Sequence, residues 1–153
     1  MREGRQLWRR CRACGWIFYN NPVPAANALI VRGGRLLLGR RARPPYAGMW
    51  DTPGGFFEAG EAAEQALRRE LREELGATPG RLRWAGAMAD RYGRDGFPVL
   101  SLFFWVTLAP GRLRPADDVS ELEWFAIDRL PYTRIAFPST RRLLRGLFGD
   151  GRG

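Results

Sequence analysis

The chain has 153 residues, 45% hydrophobic and 12% aromatic, which suits one domain with a real core and excludes disorder across its body. All 25 basic residues are Arg, against 16 acidic ones, for a net charge of +9 without a single Lys or His. That excludes Schiff-base chemistry and the commonest general base, and leaves a carboxylate or a metal-bound hydroxide as proton acceptor.

No apolar run approaches the ~18–20 residues of a membrane span and the opening residues lack a signal-peptide core, so a soluble, cytoplasmic chain is expected. Arg-only usage beside much Gly, Ala and Pro reads partly as GC-rich codon choice. A basic surface would still steer polyphosphate. No nucleic-acid-binding motif is visible, and nucleic acid is not an expected partner.

In chain order, residues 1–21 stand apart. Cys11-Arg-Ala-Cys14-Gly15 is a C-x-x-C knuckle, but zinc wants four ligands and the chain holds no third Cys. The pair reads as a remnant half-ribbon, a redox pair, or a site completed across a dimer. Trp8, Trp16, Ile17, Phe18 and Tyr19 supply either a homodimer contact or a cover for the chain's own sheet.

Residues 25–31 and 35–40 flank Gly33-Gly34, a two-residue turn signal, and read as a hairpin with Leu36 and Leu38 on one face. A loop over 41–53 carries Arg41, Arg43, Tyr46 and Trp50. From Glu61 to Leu75 there is neither Pro nor Gly, the composition favours helix, and Gly76 supplies a stop. Leu67, Leu71 and Leu75 form its apolar stripe; Ala63 and Ala66 are expected beside its acidic face. Strands are expected at 82–89 and 99–108, the second apolar enough to be central, with a charged loop over 91–96 between them. A short strand at 121–127 and a helix at 138–148, with Pro in its first turn, complete the body. Residues 149–153 read as a fraying tail.

Glu70, Glu73 and Glu74 fall at helical spacing i, i+3 and i+4, so they project from one side and repel one another unless a cation sits among them. Hard oxygen ligands suit Mg²⁺ or Mn²⁺. With Gly55, Glu61, Arg69, Leu71, Gly76 and, as a soft departure, Ala77, these residues match the spacing of the Nudix box, and the chain resembles the Nudix hydrolases over residues 22–148.

The resemblance implies an α/β/α sandwich around a mixed sheet and hydrolysis of a nucleoside diphosphate linked to another moiety. It also implies Mg²⁺ or Mn²⁺ held by Glu70, Glu73, Glu74 and the Gly55 carbonyl. Arg69 would orient the loop by pairing with a box carboxylate while pointing away from the metal face. The general base is Glu73, Glu74 or Glu121, the last with Asp118 near it. Arg41, Arg43, Tyr46, Trp50, Arg91, Tyr92, Arg94 and Phe137 are candidate substrate contacts, for phosphate grip or base stacking.

The knuckle, the run Gly48-Met-Trp50-Asp-Thr-Pro53-Gly54-Gly55 and the later Leu130-Pro131 and Ile135-Ala136-Phe137 resemble a subgroup with a zinc ribbon before the Nudix fold. Members of that wider group hydrolyse NADH, FAD or ADP-ribose. Their ribbon has two C-x-x-C pairs, of which this chain keeps the second. A triphosphate-sanitising hydrolase and a non-catalytic nucleotide sensor are the alternatives.

Overall fold

A computed structural model describes residues 8–149; the expected tail beyond Gly149 and the first seven residues lie outside it. The elements are β1 (Arg9–Arg10), β2 (Ile17–Phe18), β3 (Val23–Leu29), β4 (Val31–Arg32), β5 (Arg35–Arg41), β6 (Trp50–Asp51), β7 (Gly54–Phe56), α1 (Ala63–Leu75), β8 (Pro79–Arg91), β9 (Pro98–Leu108), β10 (Val119–Ala126) and α2 (Pro138–Phe148).

β1 and β2 pair only with each other, as an antiparallel ribbon. Trp16, Phe18 and Tyr19 remain exposed on it, so they do not cover the chain's own sheet. The body has two sheets. One is mixed, in the order β7-β3-β9-β8, with β3 parallel to β9 and the outer pairs antiparallel. The other is antiparallel, β10-β5-β4, with β6 also on β5. The expected hairpin exists as β4–β5, but its first strand breaks at Ile30, and the preceding residues belong to the mixed sheet.

α1 buries Leu67, Leu71 and Leu75 against Ala26, Ala28, Ile30, Leu37, Phe104 and Val106. α2 buries Leu143 and Leu144 against Leu29, Leu36, Leu38, Phe103 and Phe125. β5 therefore contributes three consecutive leucines to cores on both of its faces, as a strand covered on both sides must. The two helices and the sheets between them give the α/β/α arrangement, with β9 central in its sheet.

α1 starts at Ala63, later than expected, and Glu61 lies in the turn before it. The Gln65 side-chain oxygen accepts the N–H of Ala62 at 2.8 Å, satisfying one donor at the helix start. At the far end Gly76 adopts φ +60°, and the N–H groups of Gly76 and Ala77 close onto the carbonyls of Arg72 and Leu71. A left-handed residue there favours glycine. Ala77 then enters the α1 core, where it is buried. Ala66 is also wholly buried, and Ala63 packs against that core. Neither lines the acidic cleft, because the start of α1 leans onto the sheet.

Candidate active site

A cleft of about 310 Å³ opens between the two sheets and the ends of both helices. Its acidic half is made by Glu70, Glu73 and Glu74 of α1, faced by Asp117 and Asp118 from the segment before β10. The backbone of Gly54 and Gly55 lies beside them. Glycine is required at Gly54, where, at φ +143°, a Cβ would collide with the backbone of Ala26 and Asn27; at Gly55 a Cβ would meet the Glu70 carboxylate and force it aside.

Arg69 organises the cluster. Its Nε and Nη2 donate to the two oxygens of Glu61 at 2.8 and 3.0 Å, Nη2 also to the Phe56 carbonyl at 2.9 Å, and Nη1 to Glu70 at 2.8 Å and Glu73 at 3.2 Å. The expected pairing with box carboxylates is present. Arg69 is not turned away from the acidic face, however; it lines the cleft wall beside Glu70 and Glu73. The Arg69 contact, with the Glu58 N–H, holds the Glu61 carboxyl down at about 2.

Glu74 is buried, 6% exposed, and its Oε2 accepts the Gly54 N–H at 2.9 Å. Burial raises its carboxyl to about 8 despite that bond, and the charges of Glu70, Asp51 and Asp118 push the same way. Burial likewise raises Glu70. Among the described residues no three acidic, Cys or His groups are already drawn into a coordinating set. Arg69 instead holds Glu70 and Glu73, and Gly54 holds Glu74. The chemistry still fits a hard cation. Every donor is oxygen, two carboxylates sit where their own charge is disfavoured, and a buried oxygen of Asp118 lacks a hydrogen bond although the Arg43 guanidinium lies 2.9 Å away.

The cleft's other end is aromatic. Tyr92 is stacked between Phe97 and Phe137, at 5.3 and 5.8 Å between centroids, with Phe56 edge-on at 5.0 Å. The Arg41 guanidinium lies over Phe137 at 5.0 Å and Tyr92 at 5.9 Å, donates through Nη2 to the Tyr92 hydroxyl, and is fixed by Nε to the Pro45 carbonyl. Arg41, Arg91, Tyr92 and Phe137 all line the cleft.

The remaining sequence candidates lie elsewhere. Trp50 is buried and packs edge-on against Phe125 in the α2 core, because its strand pairs inward with β5, so it is a core anchor and no base platform. Tyr46 supports Phe137 from behind, edge-on at 5.3 Å. Arg43 ties its loop to Asp117 and Asp118. Glu121 does not line the cleft. The register irregularity between Val119 and Glu121 brings it opposite Arg40, which engages its carboxylate at 3.2 Å. Cys11 and Cys14 are exposed free thiols on the separate ribbon, with the Cys11 thiol lowered chiefly by the backbone N–H groups of Cys14 and Ala13. Arg94 sits exposed in the loop after β8.

Sequence reading missed Asp51 and Asp90. Asp51 accepts from the Thr52 N–H at 2.9 Å and the Thr140 hydroxyl at 3.1 Å; Asp90 accepts from the Ser139 N–H at 2.7 Å. Both carboxylates thus hold the positive first turn of α2, which has no side-chain cap of its own. Burial raises Asp51 to about 6 in spite of nearby Arg41. The signal for Asp51 was its place in the Trp50–Gly55 run.

This architecture and site define a class: the NUDIX domain matches residues 21–145, and the chain belongs to that family. It is 35% identical over 121 residues to an ADP-ribose pyrophosphatase of Methanocaldococcus jannaschii, covering 78% of this chain and 69% of that one. It is 34% identical over 142 residues to the NAD-capped RNA hydrolase NudC of Chromobacterium violaceum, covering 92% of this chain and 51% of NudC. The chain therefore spans about half the length of the NudC relatives it matches. A MutT NUDIX hydrolase from Burkholderia pseudomallei superposes with a TM-score of 0.74 at 32% identity, over 82% of this chain and 97% of that one.

Proposed function

We propose that the protein is a Mg²⁺- or Mn²⁺-dependent pyrophosphohydrolase that cleaves a nucleoside diphosphate linked to another moiety, a dinucleotide or nucleotide sugar of the NADH, FAD or ADP-ribose kind. The observation that carries this reading is the set of Glu70, Glu73 and Glu74 lining one wall of a cleft whose other end is Arg- and aromatic-lined. The ADP-ribose pyrophosphatase and NAD-capped RNA hydrolase relatives support it.

Glu70, Glu73 and Glu74, with the Gly55 carbonyl, would hold the cation, which when bound would neutralise charge on the diphosphate and ease deprotonation of the attacking water. Arg41 and Arg91 grip the outer phosphate oxygens, and Phe137 and Tyr92 wall the aromatic end, so the diphosphate is laid across the acidic half. Glu73 or Glu74 takes the proton from the attacking water, in the absence of any His. Arg69 keeps Glu70 and Glu73 in register from the side. Most of the barrier lowering is positional and electrostatic, as phosphoryl chemistry demands.

The test is phosphate release, after phosphatase coupling, from NADH, FAD, ADP-ribose, diadenosine polyphosphates and 8-oxo-dGTP with and without Mg²⁺. Glu73→Gln should abolish turnover while leaving the unfolding temperature within about 2 °C, since its side chain is half exposed. Cleavage of the triphosphate alone would move the protein to the sanitising alternative, and full activity of Glu73→Gln would remove Glu73 from both cation binding and proton transfer.

A further inference from the structure

The pleat of β3 sends Ala26 and Ala28 into the α1 core and turns Ala25 and Asn27 to the cleft. Asn27 interrupts a run of Ala, Leu and Ile and is only 8% exposed. Its backbone pairs with Gly54 on one side and Phe103 on the other. Its side-chain amide, with two N–H donors and a carbonyl acceptor, has no hydrogen-bond partner among the described residues.

The amide is not sealed off, since Asn27 lines the open cleft and its atoms are not among the fully buried ones left without a partner. A polar edge held on a strand face and unoccupied by any neighbouring side chain is placed to meet a group that enters the cleft. Ser101 supports the same reading. The β3–β9 register sets it opposite Ala25, two residues from Asn27 on the cleft face, and its hydroxyl also lines the wall. Asp51 and Asp90 line this cavity too, so an anionic substituent would be repelled where a neutral one would not.

We propose that Asn27, with Ser101 beside it, is the specificity-determining residue of the cleft and reads a neutral amide edge, a donor paired with an acceptor, on the group joined to the diphosphate. This rests on the cleft being the diphosphate site. Two sources carry such an edge: an exocyclic carboxamide on a pyridine ring, and a ring lactam. A site built to pair a polar edge rejects the analogue that lacks it far more strongly than an apolar pocket can.

Calorimetric binding in Mg²⁺ separates the sources. One arm compares nicotinamide mononucleotide with nicotinic acid mononucleotide, and the other compares UMP with 3-methyl-UMP, whose ring lactam has lost its N–H donor. The wild-type chain should prefer the member of one pair that keeps the whole edge at least about tenfold, and Asn27→Leu should cut that preference to within about threefold without lowering the unfolding temperature. Asn27→Ala repeats the measurement should Leu disturb packing. Equal affinities within both pairs, or a preference that both variants retain, overturns the assignment. Because binding is read and not turnover, a chain that hydrolyses no dinucleotide would strike the proposed function and leave this measurement standing.

Discussion

Arg69 and Glu74 hold opposite electrostatic positions within one helical turn and a half. Arg69 is surrounded by acceptors, so its charge is stabilised, whereas Glu74 is buried among other carboxylates with one backbone N–H to satisfy it. A cation entering beside Glu74 must displace the proton that a carboxyl raised to about 8 still carries at neutral pH. Apparent Mn²⁺ affinity should therefore rise up to about tenfold per pH unit between pH 6 and 8 and level off above, with one proton released per ion at the low end. Titration in two buffers of different ionisation enthalpy checks it, and Glu74→Gln should flatten the slope. At this scale the sequence was legible where chemistry is written in local spacing. Glu70, Glu73, Glu74 and Gly55 could be set side by side from the sequence because one helix and one turn place them, and all four line the cleft. The tie between Asp51 and Thr140 could not be read, since the two are 89 residues apart in the chain. Trp50 could be read as a core anchor or as a base platform, because an aromatic near the box has the same letter in either place, and it is the anchor.

Among the elements, α1 carries most of the site and depends on its apolar side for position. Leu71, wholly buried, lies between Glu70 and the later carboxylates in sequence and on the opposite face in space. Leu71→Ala should cost about 2–5 kcal/mol in urea unfolding and lower activity only in proportion to the unfolded fraction. α1, α2, β9 and the β4–β5 turn were legible because periodicity, Pro and Gly punctuate them. The break at Ile30, which hands one chain segment to two sheets, was not, since residues 28–31 run apolar through it with no Gly or Pro to mark it. Nor was the shift before Glu121, which depends on how β10 lies against β5.

For the whole molecule, the net charge of +9 surrounds a cleft whose floor is acidic. A polyphosphate should be drawn in from a distance and halted at carboxylates that only a cation makes hospitable. Raising NaCl from about 20 to 200 mM should lower kcat/KM several-fold through the association step, with kcat nearly unchanged, because the Debye length shrinks from about 20 Å to below 10 Å. Composition carried this expectation, but not the architecture of two separate sheets, which no residue count distinguishes from one. The β1–β2 ribbon lies outside both sheets, and its exposed aromatics have no cover among the described residues.

The start of α2 is moored to both sheets at once, to Asp90 at the end of β8 and to Asp51 at the end of β6. Sliding the sheets apart along the cleft would tear Ser139 or Thr140 from a carboxylate, so this one helix start clamps the two walls at a fixed spacing.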